Sequence, residues 1–173
     1  MTTVTVTYLS MSAPDQLRPK GAPAGATVAC VPQPMPELNR FFYNAIGGEY
    51  GWYERRPWTR TDWLDYLNRP GVETWVLSVE GIPAGYFELA LSDNGSVDIR
   101  LFGVLSPYVG KGYGGYLLTE AVRRAWMKGA SMVTVDTCTL DHASALAHYQ
   151  ARGFQIVDRK TKHVELPNLT TFE

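Results

Sequence analysis

The chain is short of cysteine, of histidine and of net charge. Its 173 residues include two cysteines and three histidines, and 16 basic residues stand against 17 acidic ones for a formal net charge of −1. Cys30 and Cys138 fit no metal-ligand spacing, so no cysteine-built metal site is expected. A balance this near zero, without a basic run, lacks the electrostatic footprint that nucleic-acid binding leaves, and no segment reads as a helix for an anionic membrane. No apolar run approaches the roughly 20 residues a bilayer span needs. The start, MTTVTVTYLS, has neither the basic nor the apolar region of a signal peptide. These absences predict a cytoplasmic protein with reduced thiols, without nucleic-acid or membrane partners and without a metal.

What is present suits a real core: 45% of the residues are hydrophobic, enough for one domain over 1–173. The most informative stretch runs from Val97 to Gly129. Val97 to Val104 has the content of a strand, while Leu117, Leu118, Ala121, Val122, Ala125 and Trp126 recur at helical spacing within Tyr116 to Met127. Between them lie Gly110, Gly112, Gly114 and Gly115. Glycines at the entry to a helix free backbone N–H groups to converge on an anion, and the first helical turn adds unpartnered N–H groups and the positive end of the macrodipole.

Three phosphate-binding patterns compete for these residues. A Walker loop needs lysine and then serine or threonine after its last glycine, and Gly115 is followed by Tyr116 and Leu117. A dinucleotide fingerprint is spelled by Gly110, Gly112 and Gly115, with Asp136 about 20 residues on. Yet Leu105 to Val109 separate the glycines from their strand, and too little chain follows Asp136 for a doubly wound sheet. The third pattern is an acyl-coenzyme A loop.

Here the chain resembles the GNAT superfamily of N-acetyltransferases. That family's phosphate motif, Arg or Gln, two residues, Gly, one residue, then Gly or Ala, falls on Val109, Gly112 and Gly114, with Val109 a departure. Leu140 to Phe154, LDHASALAHYQARGF, is similar to the family's Asn-x-x-Ala-x-x-Leu-Tyr-x-x-x-Gly-Phe segment. Ala145, Tyr149, Gly153 and Phe154 match, while His142 and His148 stand in place of Asn and Leu. The resemblance covers Val72 to Leu166. It implies an α/β (α+β) fold with a mixed sheet, helices on both faces, and a strand pair that splays near Val104 to admit the pantetheine arm. It further implies acetyl-CoA as cosubstrate, held by Val109, Gly110, Lys111, Gly112, Tyr113, Gly114, Gly115 and His142.

The rest of the chain reads in order. Thr2 to Leu9 alternates with a period of two, predicting a half-buried strand, and the proline- and glycine-rich Ala13 to Gln33 predicts a loop with a short strand over Thr27 to Val31. Pro36 to Ile46 predicts a helix stopped by Gly47 and Gly48. A second helix, capped by Thr59 or Thr61, runs to about Asn68 before Pro70 and Gly71. Thr74 to Val79 and Pro83 to Leu91 read as strands joined at Glu80, Gly81 and Ile82, and a turn at Asn94 and Gly95 leads to the strand at Val97. Further elements are a strand over Met132 to Thr137, a helix over Asp141 to Ala151 and a strand from Phe154 to about Leu166, making a βαβαβ end.

Between the first two helices Tyr50, Trp52, Tyr53, Trp58, Trp63 and Tyr66 crowd around Glu54, Arg55 and Arg56. This region, in the segment 1–71 that the resemblance puts on the acceptor side, is the expected acceptor pocket, with rings such as Trp52 and Tyr53 shaping it and Glu54 or an arginine reading a polar group of the substrate. Ordinary packing with snorkelling arginines is the plainer account of any single residue there.

Acyl transfer to an amine needs a neutral nucleophile, a donor for the developing oxyanion and a proton for the leaving thiolate. By resemblance, Tyr149 is the general acid and the main-chain N–H of Val104 the oxyanion donor. Thr137 stands where some members place a glutamate, which leaves Asp98 or Glu88, or a water chain, as the base. Asp98 and Arg100 share a strand face and can instead pair. The expected reaction is acetyl transfer to the primary amine of a small molecule or peptide. A homodimer paired through an exposed sheet edge fits such a fold. Two alternatives stay open: a coenzyme A-binding regulatory module without catalysis, and a nucleotide-binding oxidoreductase domain.

Overall fold

The computed structural model describes residues 1–167, so 168–173 of the expected single-domain span lie outside the described residues. The elements are β1 (Thr2–Met11), β2 (Ala26–Cys30), α1 (Pro36–Gly47), α2 (Arg60–Leu67), β3 (Val72–Val79), β4 (Ile82–Leu91), β5 (Val97–Val104), α3 (Tyr113–Met127), β6 (Val133–Cys138), α4 (Ala145–Ala151) and β7 (Gln155–Val164). One mixed sheet runs β2-β3-β4-β5-β6-β1-β7, and β5 with β6 is its parallel pair.

Local chemistry accounts for the turns and caps. Val79 pairs with Ile82 across a two-residue hairpin in which both Glu80 and Gly81 take positive φ, 51° and 82°. That is the turn whose twist suits a hairpin. At α2, the Asp62 N–H donates to the Thr59 hydroxyl at 3.2 Å while the Thr59 N–H donates to the Asp62 carboxylate at 2.7 Å. This capping box is worth about 1 kcal/mol.

Strand alternation divides the core between two faces. On one, Phe87 and Leu89 of β4 meet Leu117, Leu118, Ala121, Val122 and Ala125 of α3, with Tyr149 of α4 and Phe154 in the same cluster. On the other, Tyr86 meets Phe42 and Ile46 of α1, with the Phe42 and Tyr86 rings stacked 4.9 Å apart. Burying each such side chain contributes about 1.5–3 kcal/mol. Helices therefore cover both faces, as expected.

Three expectations change. The chain does not end in a simple βαβαβ unit, because β1 lies between β6 and β7 and is antiparallel to both. Leu9 and Met11 of β1 are wholly buried, whereas β7 carries exposed Arg159, Lys160 and Lys162. Apolar alternation draws β1 inside, and the cationic strand takes the edge, where such charges discourage pairing with another sheet. Second, α3 begins at Tyr113 rather than Tyr116, with Gly112 at φ 87° turning the chain into it. Third, α4 begins at Ala145 rather than Asp141. The Asp141 carboxylate accepts from the Cys138 N–H at 2.9 Å and the Thr137 hydroxyl at 2.7 Å, and His142 accepts from the Ser144 N–H. Side chains that satisfy nearby backbone in this way compete with helix.

One irregularity positions the site. The β4–β5 ladder shifts register so that Glu88 pairs with Leu101 and Leu89 with Ile99, leaving Arg100 as the extra residue. A bulge bends its strand and increases local twist. Beyond it β5 leaves β6: their pairing runs only from Val97 with Val133 to Ile99 with Val135. The sheet splits there.

Candidate active site

The split opens a cleft of about 570 Å³ through the sheet, lined by β5 residues Arg100 to Val104 on one side and by Val135, Asp136 and Cys138 of β6 on the other. Val104 faces it with its main chain. Leu105 donates its N–H to the Ala84 carbonyl at 2.8 Å, so the preceding amide, that of Val104, points away from β4 toward the opened side. Tyr149 enters from α4. Its side chain is 7% exposed, and its hydroxyl has no hydrogen-bond partner among the described residues. Burial first, then the charges of Asp141, Asp136 and Asp98, raise this phenol above its ordinary pKa, so it carries its proton at neutral pH.

One end of the cleft is built for an anion. The N–H groups from Gly110 to Gly115 donate to no acceptor among the described residues. Gly110 and Gly112 have φ of 76° and 87°, which only glycine adopts without strain, and nothing lies within 4 Å of where their Cβ atoms would be. Gly114 and Gly115 answer to neighbours as well. A Cβ on Gly115 would lie 2.7 Å from Lys20 Cδ, and one on Gly114 would lie 3.6 Å from His148 Nε2. Lys20 and Arg152 both line this end. Burial, then the charge of Arg152, lowers the pKa of His148, leaving it neutral beside the loop. Free N–H groups, a helix N-terminus and two cations form a cradle that fits a pyrophosphate.

The opposite end is aromatic and acidic. Tyr43, Tyr50, Trp52, Tyr53 and Glu54 line it from the segment around the α1–α2 connection, and Asp136 and Asp141 from β6 and the loop after it. The Trp52 indole N–H donates to Asp141 at 3.3 Å, which ties the connection to that loop. Asp136 opens onto the cleft beneath its walls, and that enclosure, with the charges of Asp98 and Asp141, raises its carboxyl. Trp52 itself depends on Gly47, where a Cβ would come within 2.4 Å of the Trp52 Cβ. A Gly47→Ala variant is expected to lose about 1–3 kcal/mol in urea denaturation as the indole is displaced; equal stability would mean that the indole moves freely.

The crowded aromatics thus separate into two groups. Trp52 and its neighbours face the cleft, while Trp58, Trp63 and Tyr66 surround the Arg55 guanidinium at 4.8, 5.5 and 4.2 Å. Arg55 in turn donates to both Glu88 oxygens, at 2.9 and 3.0 Å.

Of the residues expected at the site, the cleft brings together Val104, Val109, Gly110, Gly112, Gly114, Gly115, His142, Tyr149, Trp52, Tyr53 and Glu54. Four others fall outside its lining. Glu88 is fully buried in the ion pair with Arg55 and accepts from Asn39 at 3.1 Å, so it has no access to an acceptor. Asp98 accepts from the Thr134 hydroxyl at 2.7 Å and faces Arg100 at 3.7 Å, the pairing that their shared strand suggests. Lys111 is not among the residues lining the cleft, and the Tyr113 ring packs edge-on against Tyr108.

Sequence reasoning missed the place of Lys20, Arg152 and Asp136 on the cleft wall. Arg152 lies one helical turn after His148, a spacing that could have flagged it. Lys20 carried no local signal, because it reaches Gly115 through the loop after β1. That loop belongs to the segment expected on the acceptor side, yet it lies against the phosphate cradle.

The model of the acetyltransferase (GNAT) family matches residues 35–154. The chain belongs to the GNAT acetyltransferase family, and its sheet and splayed strands are the fold of that family. No curated protein sequence matches it. Among solved structures, a GCN5-related N-acetyltransferase from Kribbella flavida is similar with a TM-score of 0.64 and 20% identity, over 88% of this chain and 54% of that one. Another from Sphaerobacter thermophilus gives 0.68 and 19%, over 90% of this chain and 49% of that one. An IAA acetyltransferase from Bacillus cereus gives 0.56 and 24%, over 77% and 79%. The chain spans about half the length of the first two.

Proposed function

We propose that the protein transfers an acetyl group from acetyl-CoA to the primary amine of an acceptor by direct attack. The observation that carries this reading is the Tyr149 hydroxyl. Carried on a buried ring, it keeps its proton and has no partner among the described residues where β5 and β6 split, with the N–H cradle at one end of the cleft and free carboxylates at the other. Bound in the cradle, acetyl-CoA supplies an activated thioester. The chain supplies the remainder: N–H groups from Gly110 to Gly115 with Lys20 and Arg152 for the diphosphate, the Val104 N–H for charge developing on a carbonyl oxygen, and Tyr149 for protonation of a leaving thiolate. Trp52, Tyr53 and Glu54 bound the acceptor. The described chain is read as one domain, since β1 and β7 complete the sheet of the acyl-CoA half, and the two free cysteines suit a cytoplasmic setting.

A Gly112→Glu variant tests the cradle. It places a carboxylate at a position of φ 87° facing the anion site. Calorimetry is expected to show acetyl-CoA binding weakened by at least about tenfold, that is 1.4 kcal/mol, with a cooperative melt retained. Undiminished affinity would remove the loop from the site.

A further inference from the structure

The acceptor end of the cleft carries more negative charge than the fold can use. Glu54, Asp136 and Asp141 line it, and Asp98 lies close enough to Asp136 to raise its carboxyl. Against these stand Arg100, already facing Asp98, and Lys162 on β7; Arg55 also lines the cleft but is matched by Glu88. Tyr43, Tyr50, Tyr53 and His142 are the other titratable groups there. The Asp141 oxygens are occupied by Trp52, Thr137 and Cys138. Asp136 and Glu54 have no hydrogen-bond or ion-pair partner among the described residues. Independently of this cluster, the Tyr149 hydroxyl, on a side chain more than nine-tenths buried, is aimed into the same space without a partner.

From this juxtaposition we propose that the acceptor is an aliphatic amine bearing a second cationic group, Asp136 receiving the reacting ammonium and Glu54 the distal cation. The proposal rests on the acetyltransferase reading and names its substrate class. Trp52 and the neighbouring tyrosines suit an alkyl spacer and add cation–π attraction. An acceptor with a carboxylate in place of the second cation meets like charge instead. Asp136 takes one proton from the ammonium, the neutral nitrogen attacks the thioester carbonyl, and the carbon–sulfur bond breaks as Tyr149 protonates the thiolate. The second proton leaving nitrogen restores Tyr149 through solvent. The raised carboxyl of Asp136 suits proton acceptance from an amine.

The test measures initial rates with acetyl-CoA and three four-carbon acceptors: butane-1,4-diamine, butan-1-amine and 4-aminobutanoate. The diamine is expected to exceed butan-1-amine in kcat/KM by about tenfold, and 4-aminobutanoate by more. Glu54→Gln should collapse the diamine-to-monoamine ratio through KM, whereas Asp136→Asn should lower kcat for both while acetyl-CoA Kd is retained. Equal or better use of 4-aminobutanoate, or an unchanged ratio in Glu54→Gln, would overturn the assignment. If acetyl-CoA binds but no amine turns over, titration of the coenzyme A-loaded protein with butane-1,4-diamine decides. Binding weakened in both variants supports the assignment, and absent binding overturns it. Failure to bind acetyl-CoA would instead defeat the transferase reading on which it rests.

Discussion

Replacing Arg55 with leucine will cost the fold about 3–5 kcal/mol, read as a fall in the urea midpoint at unchanged slope. The guanidinium donates to both oxygens of Glu88, a side chain with no solvent exposure. Removing it strands that carboxylate with only Asn39 as donor. Three rings around the guanidinium also lose the cation they enclose. Since a domain's whole stability is about 5–15 kcal/mol, this single change brings it close to unfolding. The Arg55→Leu, Glu88→Leu double variant should recover much of the loss, because no buried charge then remains unpaired. A single variant within about 1 kcal/mol of wild type would show that water reaches Glu88 and that the pair is no structural device.

Changing Tyr149 to phenylalanine should lower kcat by about 10²–10⁴ while leaving acetyl-CoA affinity intact. The substitution keeps the ring that packs edge-on against Phe154 at 6.1 Å and removes the hydroxyl alone. That hydroxyl has no hydrogen bond to lose among the described residues, so stability should hold or rise slightly. A leaving thiolate is a weaker base than a phenolate held in so buried a place, so the tyrosine donates its proton only as the carbon–sulfur bond gives way. Steady-state rates with a fixed amine, beside calorimetric acetyl-CoA binding, separate the two quantities. Full turnover in the phenylalanine variant would assign thiolate protonation to solvent.

How much of this was legible beforehand differs from element to element. The strands and α1 to α3 follow from local pattern to within a few residues, as does the turn after Val79, while the choice of Thr59 over Thr61 as cap came from the structure. The positions of the glycine loop and of the Tyr149 helix were legible because each occupies a short run of consecutive residues. The proposed base was not: Asp98 and Glu88 are candidates by strand neighbourhood alone. A carboxylate's availability depends on what faces it across the sheet, and Glu88 faces Arg55 from 33 positions away. Asp136, set aside with the dinucleotide pattern, faces the cleft because β5 has left β6 at that level.

By itself the order of residues determined the family, most of the secondary structure and the place of the glycine loop, since each rests on periodicity, glycine conformation or contiguous motif. Tertiary structure decided the rest: the seat of β1 between β6 and β7, the approach of Lys20 to Gly115, and the division of one aromatic cluster into a cage for Arg55 and a wall of the cleft. Those outcomes depend on burial and charge pairing between segments distant in the chain, and such pairings exist only once the sheet has brought the segments together.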